Sequence, residues 1–189
     1  MKNSSSKLAS KISILCTGLL FAFCSPPKET EKITFVEKKS INLEDTIPYG
    51  KKGEGDAHGG KFFSRADSSS IYGCTSFFNI PDSLVQKDIR VRVNAWVRIG
   101  DLSKNKKYAI SLEDAFGKMI NWGEVDFRSH VAEVNKWVNV SDSVTISANL
   151  ISNKGLIIKT FSFNPDGHSH LDVDDVELVF CKVEKNIEK

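Results

Sequence analysis

Short segments in which apolar and polar residues alternate recur along most of the chain. The clearest runs from Arg90 to Ile99, where every odd-numbered residue is apolar. Alternation with period two predicts a strand with one face in a hydrophobic core. The opposite face of this strand would carry Arg92, Asn94, Trp96 and Arg98.

Seven further segments between clusters of Gly, Asn, Asp, Ser and Pro predict strands. They are Lys61–Ala66, Tyr72–Ile80, Tyr108–Leu112, Met119–Phe127, Trp137–Ile146, Leu156–Phe163 and Leu171–Cys181. Strands at this spacing, without a long segment of helical period, predict an all-β fold built as a single β-sandwich or jelly roll. We place this domain at residues 41–183, followed by a C-terminal tail at residues 184–189.

The N-terminus has the pattern of an export signal. Three lysines precede the apolar run Ile12–Phe23, which is 12 residues long. A membrane-spanning helix needs about 20 apolar residues, so residues 1–23 are interpreted as a signal peptide. The run ends at Cys24 and resembles a bacterial lipoprotein signal, in which the cysteine becomes the first mature residue and carries the lipid. The alternative is an ordinary cleaved signal in which Cys24 is incidental.

Composition and charge narrow the classes of partner. The chain has 189 residues, of which 40% are hydrophobic and 26% charged, and its formal net charge is +2. Removing residues 1–23 takes away three lysines and no acidic residue, so the net charge becomes +2 − 3 = −1. A nucleic-acid partner is therefore not expected. Residues 24–40 are rich in Lys, Glu and Pro and predict a flexible tether between membrane and domain.

Four short motifs occur along the predicted domain: Asn42-Leu43-Glu44-Asp45, Ala57-His58-Gly59-Gly60-Lys61, Val93-Asn94-Ala95-Trp96-Val97 and Asp174-Asp175-Val176-Glu177-Leu178. They resemble motifs of galactose-binding-like, carbohydrate-binding-module-like jelly rolls, which are common in lipoproteins of Bacteroidetes-type bacteria. The resemblance covers about residues 41 to 181 and implies the jelly-roll fold. It also implies a lipid-anchored protein of the cell envelope, in the outer membrane and facing either the periplasm or the surface. This scaffold carries many unrelated binding roles, so the fold does not define the function.

Two carboxylates are candidates for a structural calcium site. If Val176 and Leu178 face the core, period two puts Asp174 on the same inward side, where a carboxylate needs a partner. Related jelly rolls hold calcium between opening-strand and closing-strand carboxylates, which implies Asp174 and Glu44 as its ligands, together with carbonyls of the Gly-rich stretch before Lys61. The alternative is a hydrogen-bonded Asp174 without metal.

The remaining reactive side chains give weaker signals. Cys74 and Cys181 would form a disulfide if their strands are neighbours, or else remain two buried thiols. His168, His170 and Asp172 have the spacing with which some metal sites begin. They are better interpreted as solvated side chains near a turn.

Two functions remain open, and neither is enzymatic, because no nucleophile–base motif occurs. The first is carbohydrate binding by Trp96 with Arg92, Asn94 and Arg98, in a face that Trp122 and Tyr72 could extend. In that interpretation an aromatic plate stacks on a sugar while the polar neighbours bind its hydroxyl groups. Equally, a loop or the N-terminal segment could cover Trp96. The second function is that of a structural or protein-interaction lipoprotein of the envelope that binds no sugar.

Overall fold

A computed structural model describes residues 29–45 and 49–187 of the chain, which form ten strands and three short 3₁₀ helices. The strands are β1 Glu29–Ile41, β2 Lys52–Glu54, β3 Phe62–Ala66, β4 Tyr72–Asn79, β5 Asp88–Ile99, β6 Lys107–Glu113, β7 Met119–Asp126, β8 Val138–Ile146, β9 Ile157–Phe163 and β10 Leu171–Ile187. The 3₁₀ helices are Asp82–Leu84, Phe127–His130 and Ala148–Leu150. Every strand that the alternation predicts is present.

The strands form two antiparallel sheets that pack face to face. Sheet A has the order β2-β3-β10-β5-β8, and β1 also pairs with β10. Sheet B has the order β4-β9-β6-β7. The prediction of an all-β sandwich is therefore confirmed.

The inner faces of the two sheets form one hydrophobic core. The odd-numbered residues of β5 from Ile89 to Ile99 are fully buried, as the alternation predicts. They pack against buried residues of sheet B such as Ile110, Leu112 and Ile158. The core is formed by one face of each sheet, so the side chains of both outer faces lie outside it.

The structure corrects the N-terminal boundary of the domain. Residues 29–41 form β1, which pairs with β10 along its length from Glu29 opposite Ile187 to Ile41 opposite Val176. The prediction of a flexible tether at residues 24–40 is therefore wrong for residues 29–40, and the predicted tail at 184–189 is wrong as far as Ile187. An edge strand has one unpaired side and few buried positions, so its sequence can be as polar as that of a linker. The predicted signal peptide and Cys24 lie outside the described residues.

The prediction that Asp174 faces the core is wrong, because β10 contains a β-bulge beside it. The register with β5 shifts between Asp174 opposite Trp96 and Glu177 opposite Asn94, and Asp175 has a positive φ of 47°. Alternation across the bulge is broken, because a bulge places two residues opposite one. Asp174 therefore lies on the outer face of sheet A beside Trp96, not on the inward face with Val176.

Strand pairing defines two ends of the sandwich. In sheet B, the last residues of β4 and β6 lie beside Ile157, the first residue of β9. In sheet A, Ile89 near the start of β5 lies opposite Ile146 at the end of β8. The end where β1 starts and β10 stops, called the Glu29 end, carries the connecting segments 80–87, 114–118 and 147–156. The opposite end, called the Leu171 end, carries segments 67–71, 100–106 and 164–170.

Cys74 and Cys181 are both free thiols and both buried. Cys74 belongs to β4 in sheet B and Cys181 to β10 in sheet A, so their strands are not neighbours in one sheet. This outcome is the second of the two alternatives that the sequence leaves open. Within the described ranges, no helix has the length and apolar character needed to cross a membrane.

Candidate functional site

The outer face of sheet B holds four aromatic rings in mutual contact, called here the aromatic cleft. Tyr72 stacks on Phe163 with ring centroids 5.3 Å apart, and Trp122 contacts Phe161 edge-on at 5.6 Å. Tyr72 also meets Phe161, and Trp122 meets Phe163. Tyr72 is 48% and Trp122 39% exposed, whereas Phe161 is buried beneath them. Two amphipathic rings are thus presented to solvent on a rigid aromatic base.

Strand register explains why a depression forms between these rings. Trp122 on β7 lies opposite Ser111 on β6, and Phe161 on β9 lies between Ala109 and Thr75. Small side chains beside large ones leave a cleft of about 410 Å³, bounded by Tyr72 and Trp122. Its volume lies in the range of small-ligand sites, which are concave and largely apolar with a few polar groups.

Polar groups converge on the aromatic cleft from β6 and β9. Glu113 is only 8% exposed, accepts a hydrogen bond of 3.2 Å from the Ser111 hydroxyl, and lies 3.4 Å from the ammonium group of Lys159. Lys159 also lies over the ring of Phe161 at 5.7 Å. The cleft therefore offers an acceptor and a donor of opposite charge next to its aromatic walls.

The indole of Trp122 is held in place by a charged neighbour. Its Nε1 donates a 3.2 Å hydrogen bond to Glu124, which also pairs with Lys107. Burial tends to raise the pKa of Glu124, but the hydrogen bonds from Lys107 and Trp122 outweigh it and lower the pKa. Glu124 therefore stays ionised at neutral pH and fixes one edge of the indole while leaving its ring exposed.

On the outer face of sheet A, a loop covers Trp96, the tryptophan that the sequence predicts to bind sugar. The ring of His58 stacks on Trp96 with centroids 3.7 Å apart and planes 12° from parallel. His58 Nδ1 lies 2.7 Å from a carboxylate oxygen of Asp175. Of the alternatives for Trp96, the structure thus shows a loop covering one ring face. A cleft of about 480 Å³ remains beside Trp96, lined mainly by acidic and amide side chains.

The covering loop, residues 55–61, is held by the two candidate calcium ligands. One oxygen of Asp174 accepts hydrogen bonds of 3.0 Å from the backbone N–H groups of His58 and Gly59, and the other accepts from Asp175 at 2.9 Å. Glu44 accepts from the N–H groups of Lys61 and Phe62 at 2.9 and 2.8 Å.

Two glycines allow the backbone of the loop to lie close to neighbouring carboxylates. A Cβ on Gly59 would lie 2.7 Å from the Asp175 carboxylate, and one on Gly60 would lie 2.6 Å from that of Glu44. Gly60 also has a φ of +76°, which favours glycine.

Backbone N–H groups of the loop and of β3 thus donate to both candidate calcium ligands. Burial raises the pKa of Asp174 despite its backbone hydrogen bonds, whereas the N–H groups of Phe62 and Lys61 lower the pKa of Glu44. Both carboxylate oxygens of Asp174 already accept hydrogen bonds from backbone N–H groups. This is the geometry expected if Asp174 is hydrogen-bonded without metal. Among the described residues, no cluster of three or more His, Cys, Asp or Glu side chains could hold a metal. Calcium bound by Asp174 and Glu44 stays a prediction.

A buried ionic network lies next to the loop. Asp172 is fully buried, and its carboxylate receives two hydrogen bonds from Arg65 (2.7 and 2.8 Å) and two from Arg98 (2.9 and 3.1 Å). Arg98 also reaches Asp56 in the loop at 2.6 Å. The interpretation of Asp172 as a solvated side chain is therefore wrong, because strand pairing brings Arg65 and Arg98 to either side of it.

The structure divides the predicted sugar-binding residues between two faces. Tyr72 and Trp122 lie together on sheet B, whereas the other four belong to β5 in sheet A. Arg98 is only 9% exposed and is hydrogen-bonded to Asp172. The side-chain amide oxygen of Asn94 accepts a 2.7 Å hydrogen bond from the Ser141 hydroxyl. Arg92 remains exposed on that face.

Sequence reasoning missed the rest of the aromatic cleft, in particular Phe161, Phe163, Glu113 and Lys159. The alternation Lys159, Phe161, Phe163 along β9 is a signal that could have indicated it.

Solved structures that are similar to this chain share little sequence with it. No protein-family model and no curated protein matches the chain. The xylan-binding CBM22 domain from Paenibacillus barcinonensis is 12% identical with a TM-score of 0.41, covering 87% of this chain and 97% of that domain. The C-terminal CBM6 of LamC, a laminarinase from Zobellia galactanivorans, is 14% identical with a TM-score of 0.40, covering 76% of this chain and 98% of that module.

A protein of a viral particle is similar to the same degree. VP2 of infectious bursal disease virus is 10% identical with a TM-score of 0.45, and the match covers 87% of this chain. The chain spans only 38% of that viral protein. Carbohydrate-binding-module-like sandwiches are thus among the structural neighbours. Because these TM-scores are low, the fold is established by the strands and registers described above.

Proposed function

We propose that the domain binds carbohydrate, without catalysis, in the aromatic cleft on the outer face of sheet B. The observation that carries the proposal is the pair of half-exposed rings, Tyr72 and Trp122, set around a depression that contains Glu113 and Lys159. The C–H faces of a sugar pack against aromatic rings, while its hydroxyl groups both donate and accept hydrogen bonds. Glu113 can accept from such a hydroxyl and Lys159 can donate to one.

Charge balance in the cleft favours a neutral sugar. Glu113 is offset by Lys159, and Glu124 by Lys107. A uronic acid would meet two carboxylates close to the rings, and an amino sugar would meet two ammonium groups. A neutral glycan leaves both ion pairs undisturbed.

The cellular setting is part of the same proposal. The apolar run ending at Cys24 supports an exported chain with lipid on that cysteine, anchored in the cell envelope. A Cys24→Ala variant should remain in the unlipidated precursor form and incorporate no labelled palmitate. Palmitate incorporation by that variant would refute the assignment of Cys24.

Sugar binding is tested with residues 24–189, which include every described strand. We expect retardation in affinity gels containing at least one neutral polysaccharide among laminarin, xylan and dextran, or binding on a glycan array. Trp122→Ala and Tyr72→Ala should each weaken binding at least about tenfold, which corresponds to about 1.4 kcal/mol.

The controls are two aromatic residues outside the cleft. Tyr49→Ala removes a ring that is 77% exposed and contacts Phe77. It tests whether the loss of any exposed aromatic ring weakens sugar binding. Trp96→Ala tests the outer face of sheet A. Equal losses for Tyr49→Ala and Trp122→Ala, or a loss confined to Trp96→Ala, would contradict the assignment to sheet B.

A specific observation also favours the second candidate, a protein-interaction lipoprotein. Among the described strands, β1 pairs with β10 alone, so one edge of its 13 residues is unpaired. Ile33 and Phe35 on this strand are 42% and 63% exposed. Such an edge can accept a strand from another protein. Co-purification of one envelope protein that Phe35→Lys abolishes, with no binding to any glycan, would favour this function over carbohydrate binding.

A further inference from the structure

The strand β1 leaves little free chain between Cys24 and the folded domain. Only residues 25–28 separate Cys24 from Glu29, which is already paired with Ile187. A polypeptide spans at most about 3.6 Å per residue, so the Cα atoms of Cys24 and Glu29 lie within about 18 Å of each other. If Cys24 carries a lipid, which is part of the function proposed above, the Glu29 end of the sandwich must lie next to the bilayer.

The same end carries an apolar side chain that is almost completely exposed. Phe116 is 96% exposed, more than any other large apolar residue in the described ranges, and lies at the tip of the turn between β6 and β7. Asp114 accepts 2.9 Å hydrogen bonds from the N–H groups of Phe116 and Lys118, which hold this turn in shape. Met119, the first residue of β7, is 57% exposed beside it.

Three cations at the Glu29 end are paired with carboxylates. Lys154 pairs with Asp82 at 2.5 Å, Arg90 with Glu31 at 2.7 Å, and Lys182 with Glu184. Paired charges give little attraction to anionic headgroups, whereas a phenylalanine at a turn tip gains by leaving water for the interfacial region of a bilayer. The exposed phenylalanine at this end therefore suits a membrane surface.

We propose that the Glu29 end of the sandwich faces the bilayer and that Phe116 enters its interface. The lipid on Cys24 supplies the main anchoring free energy, and Phe116 fixes the orientation of the domain. The Leu171 end then points away from the membrane, and the aromatic cleft opens sideways, parallel to the membrane surface.

The experiment supplies the lipid chemically, so that it does not depend on lipidation in cells. Cys24 of residues 24–189 is coupled to a maleimide lipid in phosphatidylcholine vesicles, because the other thiols in the described ranges, Cys74 and Cys181, are buried. Phe116→Trp places a reporter at the Glu29 end. Lys104→Trp, at an exposed position in segment 100–106, places a matched reporter at the Leu171 end. Both emissions are compared with that of the parent protein.

We expect brominated phosphatidylcholine to quench at least half of the added emission of Phe116→Trp and none of that of Lys104→Trp. Equal quenching of both reporters, quenching of neither, or stronger quenching of Lys104→Trp would overturn the proposed orientation. Palmitate labelling of Cys24 in cells tests the lipid anchor separately. A negative labelling result would remove the lipoprotein proposal and leave the vesicle measurement unchanged.

Discussion

The buried carboxylate of Asp172 provides a sharp test of how the outer face of sheet A is stabilised. Asp172→Asn keeps the shape of the side chain but removes the charge that lies between Arg65 and Arg98. The side chains of Arg65 and Arg98 are 31% and 11% exposed, and that of Asp172 is not exposed at all. The variant would therefore leave two guanidinium groups facing an amide, with little solvent to screen them.

The expected loss of unfolding free energy is large. Breaking a buried ion pair by removing one partner costs about 3–5 kcal/mol. At an m value of about 2 kcal/mol/M, a loss of about 4 kcal/mol lowers the urea midpoint by about 2 M. The melting temperature should fall by roughly 10 °C, because domains of this size lose about 2–4 °C per kcal/mol.

The matched control uses another carboxylate on the same arginine. Asp56 pairs with Arg98 at 2.6 Å, but its side chain is 87% exposed, so the charge is screened by water. Asp56→Asn should leave the urea midpoint close to that of the parent. A loss below about 1 kcal/mol for Asp172→Asn, or equal losses for the two variants, would refute the argument that burial determines the difference.

Two other carboxylates give independent predictions. Burial opposes ionisation of Asp67, but hydrogen bonds from Lys51 and from the backbone and hydroxyl of Ser69 lower its pKa to about 2. Its stabilisation is therefore present above pH 4 and lost as the pH falls towards 2. The unfolding free energies measured by urea unfolding at pH 5 and pH 2.5 should differ by about 2 kcal/mol less in Asp67→Asn than in the parent. For Asp174, a hundredfold excess of calcium over its dissociation constant should raise the melting temperature of the parent by about 5–10 °C, and Asp174→Asn should abolish this rise. Identical melting curves in calcium and in EDTA would assign Asp174 to hydrogen bonding of the loop alone.

The sequence predicts the strands of the sandwich well because their pattern is local. Period-two alternation requires only that one face of a strand be buried, and in β5 it identifies every core residue from Ile89 to Ile99. The same criterion fails for β1, whose bulky apolar residues are few and whose Lys and Glu are typical of both linkers and protected edges. It also fails at Asp175, because a bulge interrupts the alternation and consecutive acidic residues do not reveal it.

The composition of the candidate site could be predicted only in part, because strand order is not a local property. Trp96, Tyr72 and Trp122 all look like residues on the polar faces of strands. Whether they share a surface depends on which sheet each strand joins, and that is decided by long-range pairing. The same limit explains Asp172, whose partners Arg65 and Arg98 are more than 70 residues away in sequence.

The two outer faces differ in a way that indicates where a ligand can bind. On sheet A, a histidine ring stacks on Trp96, and hydrogen bonds from Asp174 and Glu44 hold the covering loop in place. A ligand that stacked on the covered face of Trp96 would have to break these contacts before making its own, which reduces its affinity by the cost of opening the loop. On sheet B, Tyr72 and Trp122 are already exposed and already fixed by their neighbours, so a ligand has no such contacts to break. The aromatic cleft is therefore the preorganised surface of this domain, although the motifs of the sequence draw attention to the other face.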